Sequence, residues 1–147
     1  MNVMPHLFAA IATASCLSVA NAAPSNFSGN WFIDLRTPTE REQKLDCGAA
    51  EFDLTQSGDR IVGSHSMATV GCGRLNEGGA ETVKGVVVGG IAVLVVTSAR
   101  NGAVVMGKAR LQGGELHWQT LEEIRPGEPE GDSPLIMGRG VLTRRPK

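Results

Sequence analysis

From position 30 onward, apolar and polar residues alternate in short runs rather than at helical spacing. Trp31 to Arg36, Glu51 to Thr55, Arg60 to Ser66, Val83 to Val88, Ile91 to Ser98, Ala103 to Leu111, Glu115 to Leu121 and Leu135 to Arg144 are rich in β-branched and aromatic residues with a period near two. They predict eight strands. The links Ser57-Gly58-Asp59, Gly89-Gly90, Asn101-Gly102 and Gly113-Gly114 supply the positive φ of hairpin turns, Asn-Gly being the strongest such signal. No segment has the length or the 3.6-residue period of a helix, and no Pro interrupts a strand interior. The expected fold is all-β, an eight-stranded antiparallel up-and-down barrel. Closure removes exposed edges and leaves an interior for packed side chains or one small ligand.

Ahead of the barrel, Leu7 to Ala20 is apolar and runs into Ala20-Asn21-Ala22, a small-x-small cleavage site. Residues 1–22 therefore read as an export signal, which Cys16 leaves with, and residues 23–147 as one barrel domain. The mature protein is expected to be secreted or periplasmic. No other segment is long enough to span a membrane as a helix. The net charge is −1 with both signs interspersed, which gives no electrostatic footprint for nucleic acid or an anionic membrane. The terminal Arg144-Arg145-Pro146-Lys147 reads as a solvated end.

Cys47 and Cys72 remain after cleavage, in a compartment that permits disulfides. If Ser57-Gly58-Asp59 joins the second and third strands, residues whose numbers sum to about 116 face one another, and the position opposite Cys47 is near 69. A Cys47–Cys72 bond would clip the open end of that hairpin. Metal ligation lacks further Cys or His nearby, since His65 and His117 lie on different strands. Cofactor signals are missing too: the glycines sit singly or in pairs at hairpin turns, with no phosphate loop. Ser64, Ser66 and Ser98 lie in no nucleophile elbow. Glu122, Glu123, Glu128, Glu130 and Asp132 read as a solvated Pro/Gly-rich connection rather than an acid/base pair. An enzyme is not expected.

Gly29-Asn30-Trp31 at the start and Leu142-Thr143-Arg144 at the end resemble the calycin superfamily, in which a first-strand Gly-x-Trp packs against an Arg of the last strand. The avidin and streptavidin branch looks nearest: Arg60 to His65 resembles its third strand and Ile136 to Arg144 its eighth, although the connection Thr37 to Gly48 is longer than avidins usually have. The resemblance implies biotin contacts at Ile33 and Thr37, at His65 and Met67, at Ser98 and Ala103, and at Gly140. The position of the neighbouring subunit's Trp falls near Asp132, and Trp118 alone can stand for a pocket Trp. At least three of these positions have lost the hydrogen-bonding group that the resemblance calls for, at about 1 to 3 kcal/mol for each unmatched partner. Tight biotin binding is not expected.

By strand alternation the inward set is Ile33, Leu35, Met67, Leu94, Val96, Val105 and Leu142, all apolar. Trp31 is expected to plug the closed end beneath Arg144 as a cation–π pair. The favoured reading is an exported, non-enzymatic protein holding a small, mostly apolar ligand near Thr37, His65, Met67, Leu94, Ser98, Val105 and Trp118. The ligand would enter between the connections Ala68 to Ala80 and Arg125 to Ser133, where Asn101-Gly102 is too short to cover the opening. The alternative is a protein-interaction barrel, such as a periplasmic protease inhibitor or an assembly partner, which resembles the small bacterial metalloprotease inhibitors in its barrel, Gly-x-Trp and one disulfide. Both readings leave homo-oligomer formation open.

Overall fold

The computed structural model describes residues 25–129 and 132–146, so the segment expected to be an export signal, with Cys16, lies outside the described residues. Nine strands run β1 Gly29–Asp34, β2 Cys47–Ser57, β3 Arg60–Val70, β4 Leu75–Asn76, β5 Val83–Val88, β6 Ile91–Thr97, β7 Val104–Gln112, β8 Glu115–Arg125 and β9 Arg139–Arg145. They form one antiparallel sheet in the order β2-β1-β9-β8-β7-β6-β5-β3-β4, and β2 also pairs with β3. That last pairing closes eight strands into a barrel, with β4 a short flap on β3. The expected fold class is what forms. Inward side chains of alternating strand positions build the core, among them Phe52, Leu54, Ile61, Leu94, Val96, Leu116, Trp118 and Leu142, each no more than 2% exposed.

Three of the turns are the predicted ones. Gly58, Gly89, Gly90, Gly113 and Gly114 all take positive φ, between 56° and 85°. The Asn101-Gly102 link departs from expectation: β6 ends at Thr97 and β7 starts at Val104, so the connection is wider than a two-residue turn. The Asn101 side chain is the reason. Its Oδ1 accepts from the Ala103 N–H at 3.2 Å while its Nδ2 donates to the Asp132 carbonyl at 3.1 Å, which commits the residue to a neighbouring loop.

Two other elements differ from the sequence reading. A single helical turn, α1 (Pro38–Glu42), sits in the long first connection. Thr37 caps it, with Glu40 returning a bond to the Thr37 N–H, and Pro38 occupies the first turn where its missing N–H costs nothing. No helix is expected from the sequence, and an element of five residues is too short to carry a periodicity signal. The last strand begins at Arg139 rather than Leu135, because Pro134 to Gly138 leaves the sheet and turns into the barrel.

The Cys47–Cys72 disulfide is present, with Cα atoms 5.3 Å apart, and Cys47 faces Val70 across the β2–β3 hairpin. Denatured, unreduced mature protein is therefore expected to show no free thiol on titration. Replacing both cysteines by serine should lower stability by about 3 kcal/mol on the chain-entropy account, measured by urea unfolding. Two titratable thiols in the mature protein would contradict the bond.

Candidate functional site

The end of the barrel carrying the tight turns is closed from below. Trp31 is 1% exposed and its Nε1 donates to the Phe27 carbonyl at 2.8 Å, while Phe27 is itself fully buried. Arg144 stands over the indole with its guanidinium carbon 4.5 Å from the ring centroid, and the two residues pair across β1 and β9. Gly29 has φ +138°, and a Cβ there would press on the Arg144 side chain at 3.3 Å. The Gly-x-Trp spacing thus has a local cause. The glycine makes room for the cation that covers the tryptophan two residues on.

At the opposite end the expected mouth is crossed by the chain itself. Ser98 Oγ donates to the Pro134 carbonyl at 2.6 Å, and Asn76 Nδ2 to the Leu135 carbonyl at 3.1 Å. The Met137 N–H donates to His65 Nε2 at 3.2 Å, while the Met137 carbonyl accepts from Trp118 Nε1 at 2.6 Å and from Thr120 Oγ1 at 3.1 Å. Residues 134–137 therefore fill the upper interior, with Leu135 and Met137 buried. Arg100 ties the rim. Its Nε meets Asp132 Oδ2 at 2.9 Å and an Nη donates to the Leu75 carbonyl. The guanidinium holds the Asp132 carboxyl below the usual carboxylate range.

His65 is the centre of this arrangement. It is fully buried, stacks on Phe52 with ring centroids 4.4 Å apart, and Phe52 in turn lies 5.1 Å from the Trp118 ring. Its Nδ1–H donates to the Glu51 carbonyl at 2.9 Å and Nε2 is the acceptor for Met137, so both ring nitrogens are satisfied by the neutral tautomer that carries its proton on Nδ1. Burial pushes its pKa down to about 4. Trp118 needs space as well. Gly107 on β7 provides it, because a Cβ there would strike the outer edge of the indole.

Of the residues expected to line a ligand site, the structure brings His65, Ser98 and Trp118 together on one inserted segment. Leu94 and Val105 lie in the core beneath it, and Met67 and Ile33 pack partly buried at its margin. Thr37 is elsewhere: exposed, its hydroxyl engaged in capping α1. None of five hollows on the described surface is lined by Leu94, Val96, Val105 or Leu142. Sequence reasoning missed the roles of Asn76, Arg100, Asn101 and the 134–137 segment. One signal was available: Leu135-Ile136-Met137 is a continuous apolar triplet behind a Pro, which breaks the alternation of an exposed-face strand. Among the described residues no group of three or more His, Cys, Asp or Glu could hold a metal, and no helix is long and apolar enough to cross a membrane. Compared with family models, curated proteins and solved structures, the chain matches none.

Proposed function

We propose that this chain is a non-enzymatic protein-interaction barrel whose interior serves as its own scaffold. The Met137 peptide group, held by His65 on one side and Trp118 on the other, carries the reading. His65 Nε2 and Trp118 Nε1 both spend their hydrogen bonds on the Met137 peptide group, His65 Nδ1–H is taken up by the Glu51 carbonyl, and the aliphatic residues below are packed. A binding surface on the outer wall or rim then remains. The disulfide supports an oxidising compartment such as the periplasm or the exterior, where a protease inhibitor or an assembly partner would work.

The rival reading, a small apolar ligand in the barrel, has one observation in its favour. Leu135 has φ +46°, a left-handed conformation that a bulky residue keeps only where contacts hold it, at a cost on the order of 1 to 3 kcal/mol. A ligand that displaced residues 134–137 would release that strain.

Displacement of a fluorescent apolar probe, run on the wild type and on Leu94→Trp and Val105→Trp, separates the two. The self-filled barrel should take up no probe in any of them, show no adduct in native mass spectrometry, and give no heat with biotin in calorimetry. Probe uptake by the wild type that disappears in Leu94→Trp would establish the interior as a ligand site and end the proposal.

A further inference from the structure

On the outer wall, cross-strand register lines up side chains from β3 to β9 in three rows. One row is Val62, Lys84, Val95, Met106 and, at its far end on β8, the exposed Glu122; the next is Arg60, Val86, Val93, Lys108, Gln119 and Arg139; the third is Val88, Ile91, Arg110, His117 and Val141. Val62, Val86, Val88 and Val95 are 45, 46, 64 and 37% exposed, unusual for a contiguous β-branched surface in water. Cations flank it. Arg60 borders it on β3, while Lys108, Arg110 and Arg139 border it on the other side, where they share one groove with His117 and Gln119. Among the described residues, Arg60, Lys108, Arg110 and Arg139 have no carboxylate within 4.0 Å, whereas Lys84 pairs with Glu81.

We propose that this wall docks a protein partner presenting an apolar centre flanked by carboxylates; the proposal rests on the interaction-module reading and names its surface. Charge selects the occupant. In a two-fold pair of this chain the patch faces itself. An axis along the strands sets Arg60 against Lys108, and an axis across them sets each against its own copy. Like charges disfavour both arrangements. A lipid surface is a poor fit as well, because the exposed apolar side chains are mainly short valines on a sheet face, without the Trp, Phe or Leu that anchor in a bilayer interface. An acidic partner matches both features, burying the valines and neutralising the four unpaired cations.

The test titrates isotope-labelled mature protein with short peptides, one alternating Val and Glu and one alternating Val and Lys, and follows backbone amides by NMR. The Val/Glu peptide should shift amides of β5, β6 and β7, weaken with added salt, and bind roughly tenfold more weakly to the Lys108→Glu/Arg110→Glu variant and to Val88→Asp. All three changes are at the surface and should leave the fold intact. No shift on the wall, or equal binding of the Val/Lys peptide, would overturn the proposal. So would tighter association with phosphatidylglycerol vesicles, or a concentration-dependent dimer abolished by Val88→Asp. Shifts confined to Met137 and the Trp118 indole would instead count against the interaction-module reading itself.

Discussion

Replacing Trp31 by alanine is expected to lower the free energy of unfolding by about 3 to 5 kcal/mol, the range for removing a large aromatic from a packed core. The side chain is buried, its indole N–H is the donor to the Phe27 carbonyl, and it is the floor on which Arg144 rests. Removing it opens a cavity, orphans a buried carbonyl and leaves the guanidinium without its ring, so the three costs act in the same direction. Arg144→Ala should cost less, because Arg144 is exposed and its remaining bond is to the Asn26 carbonyl at 3.2 Å. Urea unfolding of both single variants and the double variant gives the coupling directly. A coupling energy indistinguishable from zero would mean that the pair is not a structural unit, and that the room Gly29 leaves for Arg144 does not matter to stability.

The second large effect is on pH. His65 has a folded pKa of about 4 against the ordinary 6.5, because burial disfavours the charged ring and Nε2 must stay unprotonated to accept from Met137. The unfolded chain therefore binds a proton at higher pH than the folded one. Stability is fully present above about pH 6.5, falls as pH drops through the interval from 6.5 to about 4, and levels off below. The interval corresponds to about 3 kcal/mol at the usual 1.36 kcal/mol per pKa unit. Asp34, which the Arg36 guanidinium holds down at about 2, acts in a separate, more acidic window between its ordinary 3.8 and that value. Unfolding free energies measured at several pH values from 7 to 4 should show the slope in the wild type and lose it in His65→Gln. The variant will be less stable at neutral pH, but the slope is the diagnostic. Equal slopes in the two proteins would show that His65 is not the titrating group, and with that the clamp on Met137 would lose its main support.

The two predictions fall on opposite ends of the barrel, and they differ in how far the sequence anticipates them. The pairing of Trp31 with Arg144 was readable only through the resemblance of Gly29-Asn30-Trp31 and Leu142-Thr143-Arg144 to a calycin motif, whereas the left-handed conformation of Gly29 came from the structure. Cys47 and Cys72 were readable from the residues themselves, since the register of one hairpin fixes which residues meet at its open end, and the observed partner position, Val70, lies one residue from the expected one. Strand alternation sorted Leu94, Val96, Val105 and Leu142 inward without knowledge of any neighbour.

What alternation does not contain is the fate of a segment that leaves the sheet. Leu135 to Met137 has the composition of a strand, and only the tertiary structure decides that its peptide groups are bonded by Asn76, His65 and Trp118 from three other strands. His65 and Met137 are 72 residues apart, so no window of sequence holds both. The outer wall is undetermined in the same way. Val86, Val93 and Lys108 become one row through pairings among three strands, each set by its own turn, and a patch of exposed valines between cations exists only once those registers add up. Local chemistry specified the eight barrel strands to within their ends, three of the four tight turns and the disulfide; which surface is filled and which is left open followed from long-range pairing, because burial is a property of neighbours that the chain brings together only by closing.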